Sequence, residues 1–120
     1  MEQFIDVSNE ARDAGFTCPV LIDRHVWDRC VKWTTADNER QGYQEENARL
    51  WNVLHIPSMK LQFAIENGHN EVDLFKPDGL LYDIFCLLRG EGKEAAPVTL
   101  RVSPVVLEGN VEGLIISFSI

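Results

Sequence analysis

A chain of 120 residues with 45% hydrophobic and 25% charged content is sized for one domain that buries about two-thirds of its unfolded surface, and its composition points away from disorder. The net charge of −8 argues against direct nucleic-acid binding, which needs clustered Lys and Arg to displace counterions from phosphates. It suits solubility, or a protein partner with a basic surface. No apolar run approaches the ~20 residues that span a bilayer, and MEQFIDVSNEARDAG lacks the basic start and apolar core of a secretion signal; a cytoplasmic protein away from membranes is expected.

In chain order, Asp6 or Ser8 as N-cap and Gly15 as a stop predict a short first helix. CPVLI reads as a short strand that could join a sheet at its edge. Asp23 caps a second helix over RHVWDRCVKW, where Val26, Trp27, Cys30 and Val31 recur at helical spacing and face a core. Thr34, Thr35 and Asp37 are further cap candidates before a long helical pattern from about Tyr43 to Asn67. Leu50, Val53, Leu54, Leu61, Ala64 and Ile65 form one apolar stripe, and Ala48, Trp51, Met59 and Phe63 a second beside it, predicting a central helix buried around most of its circumference. Pro57 removes a hydrogen bond and clashes with the preceding turn at a cost of about 3 kcal/mol, so a kink or break is expected near His55–Pro57.

After Gly68 the period changes. EVDLF, KPDG and LLYDIFCLL read as strand, turn and strand, and GEGKEAAP as a loop. VTLRVS alternates, with Val98, Leu100 and Val102 to one side and Thr99, Arg101 and Ser103 to the other. Pro104 marks an edge, a bulge or the strand's end. A turn at Glu108–Asn110 leads into GLIISFSI, with Leu114, Ile116, Phe118 and Ile120 on one face. The expected fold is a single α+β domain over 1–120: a helical half to about residue 68, packed on one face of an antiparallel β-meander of three to five strands over about 71–120.

Catalytic patterns are missing. His25, His55 and His69 have no metal-ligand spacing, no glycine-rich phosphate loop follows a strand, and there is no G-x-S-x-G elbow. No catalytic residue, metal or cofactor is assigned. Cys18, Cys30 and Cys86 are odd in number and set among apolar neighbours, as for reduced core thiols of a cytosolic protein. Cys30 falls on an apolar face away from His25, so packing explains it better than nucleophilic catalysis. Trp27 and Trp51 fall on core faces, and Trp33, beside Thr34 and the polar loop, is the one that could be exposed. Glu66, His69, Glu71 and Asp73 gather at a helix-to-strand connection, where carboxylates beside a histidine could serve acid–base work or a divalent ion, or simply face solvent.

The stretch from Trp27 to Leu54 carries Trp27, Cys30-Val31, Trp33-Thr34, Arg40, Gln41-Gly42-Tyr43-Gln44-Glu45-Glu46, Arg49-Leu50-Trp51 and Val53-Leu54. This pattern resembles a family of small proteins carried on plasmids, phages and other mobile elements; the resemblance is strongest in the first half and departs at Pro57, where the family has a continuous helix. It transfers no activity. It does imply a mobile-element accessory, of the kind that can inhibit host restriction or CRISPR systems by occupying a partner surface. Helix initiation accounts for Gln44, Glu45 and Glu46 as an acidic first turn and for Gly42 as the preceding turn. It does not account for Arg40, Gln41 and Tyr43. With Gln44 and Glu45 these form the candidate partner-binding or loop-locking set, locking being favoured. A homodimer through the Pro104 region or the last strand is the structural alternative.

Overall fold

In the computed structural model, which describes residues 3–68, 74–76 and 79–119, a short strand β1 (Phe4–Asp6) precedes the first helix, α1 (Ser8–Ala14). The Asp6 carboxylate accepts the Ser8 N–H at 2.9 Å, and Gly15 ends the helix at φ 110°, as the sequence predicts. A Cβ on Gly15 would also strike the side chains of Gln62 and Ser58. Strand β2 (Val20–Asp23) runs into helix α2 (Arg24–Val26), whose His25 N–H is capped by Asp23 at 2.8 Å. The chain then widens into a π-helical segment (Trp27–Val31), closed by Lys32 N–H donating to Trp27 O at 2.8 Å. Helices α3 (Thr35–Gln41) and α4 (Glu46–Glu66) follow, then strands β3 (Leu80–Cys86), β4 (Ala96–Leu107) and β5 (Val111–Phe118).

The fold is α+β, with a five-stranded, mostly antiparallel sheet in the order β1-β2-β5-β4-β3. Its registers align Ile5, Ile22, Ile116, Val102 and Leu80 in one row across all five strands. This row joins Ala11, Val26, Val53 and Leu54 of the helices in a single core, which is the stabilising use of strand alternation. Val98, Leu100 and Val102 share the inward side, as their alternation predicts.

Several expectations change. CPVLI supplies an interior strand, not an edge: β2 pairs β1 on one side and lies parallel to β5 on the other. Its unbroken apolar run fits a strand flanked on both sides, and the sheet draws strands from both halves of the chain. Of the three expected roles Pro104 takes the edge, since β3 pairs β4 only as far as Val102; it neither ends β4 nor bulges it. Leu114, opposite Pro104, sends its N–H to Pro19 O at 2.9 Å, away from β4. Pro104 therefore occupies a position where β5 requires no donor, beyond the last paired residue of β3. Of the expected strand EVDLF, residues 71–73 lie outside the described residues, and Leu74 and Phe75 are in helical or turn conformation. Ile120 is likewise outside them.

Helix α4 is continuous through Pro57. Without a Pro57 N–H, the Val53 carbonyl loses its usual helical donor, and the buried Tyr82 hydroxyl of β3 takes that place at 2.9 Å. The tertiary bond offsets the local loss, and the helix does not break at Pro57. The first apolar stripe is buried at Leu50, Val53, Leu54 and Ala64, but Ile65 is exposed. The second stripe is overturned: Ala48, Trp51, Met59 and Phe63 all face solvent. Strand β3, the π-helical segment and α1 contact α4 along one arc only, which leaves the opposite arc uncovered.

Tyr82→Phe should orphan the buried Val53 carbonyl and lower stability by about 1–3 kcal/mol. Pro57→Ala restores a backbone donor, so the Tyr82→Phe loss should shrink in that background. Urea unfolding of the four chains gives the coupling; equal losses in both backgrounds would refute this compensation.

Candidate functional site

The segment from Trp27 to Leu54 folds around one buried side chain. Arg49, in the second turn of α4, donates from Nε to Val31 O at 3.1 Å, from Nη1 to Leu87 O and Gln44 Oε1, each at 2.9 Å, and from Nη2 to Arg29 O at 3.0 Å. Its guanidinium carbon lies 4.3 Å from the centroid of the Trp33 ring, a cation–π contact. Arg29 and Val31 carry carbonyls at the end of the π-helical segment, which has no further helical donors for them. One planar fork thus ties that segment, the Gln44 loop and the end of β3 together. Trp33 is buried rather than exposed, and its indole N–H donates to Asn38 Oδ1 at 2.8 Å.

Helix α3, which has no apolar periodicity to announce it, rests on Asp37. Thr34 and Asp37 form a reciprocal capping box, and the fully covered Asp37 carboxylate also accepts from Arg89 Nε at 2.8 Å and Arg40 Nη2 at 2.6 Å. Burial pushes the Asp37 carboxyl upward, but the bonds from Thr34, Arg89 and Arg40 outweigh it and hold the group well below the usual carboxylate range.

Gln41 completes the clamp. Its Nε2 donates to Leu88 O at 3.0 Å and Gly92 O at 2.9 Å, while its Oε1 accepts the Gly90 N–H at 2.7 Å. Gln41 and Gln44 therefore fasten loops to the domain, Arg40 pairs with Asp37 within its own helix, and Gly42 makes the turn at φ 108°. Helix α4 starts at Glu46, later than expected, with Glu45 at the cap position and no side-chain cap bond. Tyr43 is different: it is 75% exposed and bonds only Glu45 Oε1, at 2.8 Å.

Two surfaces emerge that the sequence reading did not assemble. One is a cleft of ≈ 460 Å³ lined by Cys30, Cys86, Arg49, Tyr43 and Phe85. The other is the solvent face of α4, where Trp51, Met59 and Phe63 are 47%, 54% and 66% exposed and His55 stacks on Trp51 with ring centroids 5.1 Å apart. The breadth of the α4 apolar pattern was a usable signal, since a helix packed along one arc cannot bury both stripes. Nothing in the spacing of Cys30 and Cys86 shows that they meet. Of the polar cluster at 66–73, Glu66 is exposed at the end of α4, and His69, Glu71 and Asp73 lie outside the described residues. Among the described residues no group of three or more His, Cys, Asp and Glu side chains is placed to hold a metal.

Arg49→Met removes the side-chain donor to the Val31 and Leu87 carbonyls, while Arg29 O keeps the Arg89 N–H at 2.9 Å. At about 1–3 kcal/mol for each buried acceptor left unpaired, a loss of at least ~2 kcal/mol is expected in urea unfolding; a smaller loss than for Arg40→Met would contradict the hub. For Asp37 the folded pKa is depressed. Its contribution is therefore present above the unfolded value of about 3.9 and lost as pH falls through the folded value. Asp37→Asn should lower stability at neutral pH and flatten the decline below about pH 4, as followed by thermal melts across pH. No family model, curated protein or solved structure matches this chain in comparisons with known proteins.

Proposed function

We propose that this chain is a non-enzymatic binding module that docks a protein partner with a basic surface through the solvent face of α4. The observation that carries this reading is the run Trp51, His55, Met59 and Phe63 at four-residue spacing, with three large apolar side chains about half exposed or more. Large aromatic and Met side chains are what interfaces concentrate at their centres. Exposed Glu45 and Glu66 stand at opposite ends of the helix, and the net charge of −8 would steer a basic partner toward the domain. Exposed Tyr43 and Phe85 line the cleft that also includes Ala48 and Asn52 of α4.

The resemblance of the 27–54 segment to mobile-element proteins supports a narrower version. On that reading the module is an accessory that inhibits a host defence complex, of restriction or CRISPR type, by occupying a basic surface that otherwise receives nucleic acid. The mode is stoichiometric occupancy, and no catalytic residue is assigned.

A Trp51→Ser/Phe63→Asp double substitution changes only exposed positions and should leave the melting temperature nearly unchanged. Affinity capture with mass spectrometry from a bacterial host is expected to recover a basic partner with the native chain and to lose it by at least about tenfold with the double variant. Plasmid restriction or CRISPR interference should recover in parallel. Equal recovery of the partner by both chains would sink the proposed face, and sedimentation showing a dimer broken by the same substitutions would assign that face to self-association instead.

A further inference from the structure

Cys30 lies in the π-helical segment and Cys86 ends β3, 56 residues apart in the chain, yet both line the cleft beside Arg49. The Cys86 thiol lies 4.0 Å from the Cys30 carbonyl, and the two thiols are close enough to perturb each other's ionisation. The third element is charge. Arg49 is buried, and all four of its hydrogen-bond acceptors are neutral oxygens. A buried cation whose bonded partners carry no negative charge favours ionisation of a nearby acidic group, and in the cleft wall the thiols are such groups.

Between the two residues Cys86 is the more exposed, at 5% against 1% for Cys30. Its interaction with Cys30 and the Arg49 guanidinium draw the Cys86 thiol down against the opposing effect of burial, while the same interaction and burial raise Cys30. A more accessible cysteine drawn toward ionisation beside a more deeply buried protonated one is the division of labour between an attacking and a resolving cysteine.

We propose that Cys86 and Cys30 form a dithiol site that reacts with small peroxides, with Cys86 as the attacking thiolate and Cys30 as the resolving thiol. The Cys86 sulfur attacks one peroxide oxygen, the O–O bond breaks, and hydroxide or alkoxide leaves, giving a sulfenic acid at Cys86. The Cys30 sulfur then bonds to the Cys86 sulfur; the sulfenic hydroxyl and the Cys30 proton depart as water. Peroxide is the two-electron oxidant, and the two thiols become one disulfide. Cys30 and Cys86 are only 1% and 5% exposed, so the cleft selects a compact oxidant over a bulky disulfide such as oxidised glutathione. This inference is independent of the docking face on α4.

Treatment of the reduced full-length protein with hydrogen peroxide near neutral pH should give a monomer about 2 Da lighter, and digestion without reductant should yield one peptide pair joined through Cys30 and Cys86. In Cys30→Ala the intermediate cannot resolve, so the Cys86 peptide should gain about 16 Da; in Cys86→Ala the Cys30 peptide should gain nothing under the same exposure. Thermal melts establish that each variant is folded, and the cross-link in the unmodified chain stands as a readout without them. Oxidation confined to Cys18 or the methionines, with Cys30 and Cys86 still reduced, would overturn the site. Oxygen addition at Cys30 in Cys86→Ala would overturn the assignment of roles.

Discussion

The Arg49 guanidinium is the interaction on which the first half of the molecule depends. A π-helical segment ends with carbonyls that no later turn can satisfy, and β3 ends at a carbonyl with the same need. One planar group with fixed donor directions meets Val31, Arg29 and Leu87 together, while its face covers Trp33. Lysine would bring a charge without the fork. The cost of burying a cation is met by hydrogen bonds to oxygens rather than by an opposing carboxylate, and that arrangement is also what biases the neighbouring thiols toward ionisation.

Around this hub the polar segment from Thr34 to Glu46 divides by role. Asp37 gathers Thr34, Arg40 and Arg89, Gln41 holds the 88–92 loop, and Gln44 reaches Arg49. A ring of such bonds lets a seven-residue helix persist with little apolar surface of its own. Tyr43 stands outside the ring, in solvent, beside the cleft and near the start of α4. The segment thus builds a rigid platform and presents one aromatic side chain from it, an arrangement that suits recognition by pre-formed contacts.

Helix α4 joins the two halves of the domain and shows the difference between what is buried and what is only apolar. Its inner arc meets β3 and α1 through Val53, Leu54 and Ala64, and Ser58 donates to the Ala14 carbonyl at 2.6 Å. Its outer arc holds Trp51, Met59 and Phe63 against water, the exposed apolar surface that the proposed docking would cover.

Much of the architecture was legible in residue order. The helices-then-strands succession marked α+β, Gly15 and Asp23 ended and began helices where their side chains allow, and the period of two in VTLRVS named the buried side of β4. These features are local: each depends on φ, on a cap a few residues away, or on alternation along one strand. Tertiary structure decided the rest. Which apolar stripe of α4 meets the core depends on what packs beside it, and Pro57 is tolerated because Tyr82, far along the chain, donates to Val53 O. The placement of β2 next to β5, the burial of Trp33 under Arg49 and the meeting of Cys30 with Cys86 arise the same way. They are contacts between segments separated by tens of residues, and no local spacing encodes which partner will supply the missing donor, cover or charge.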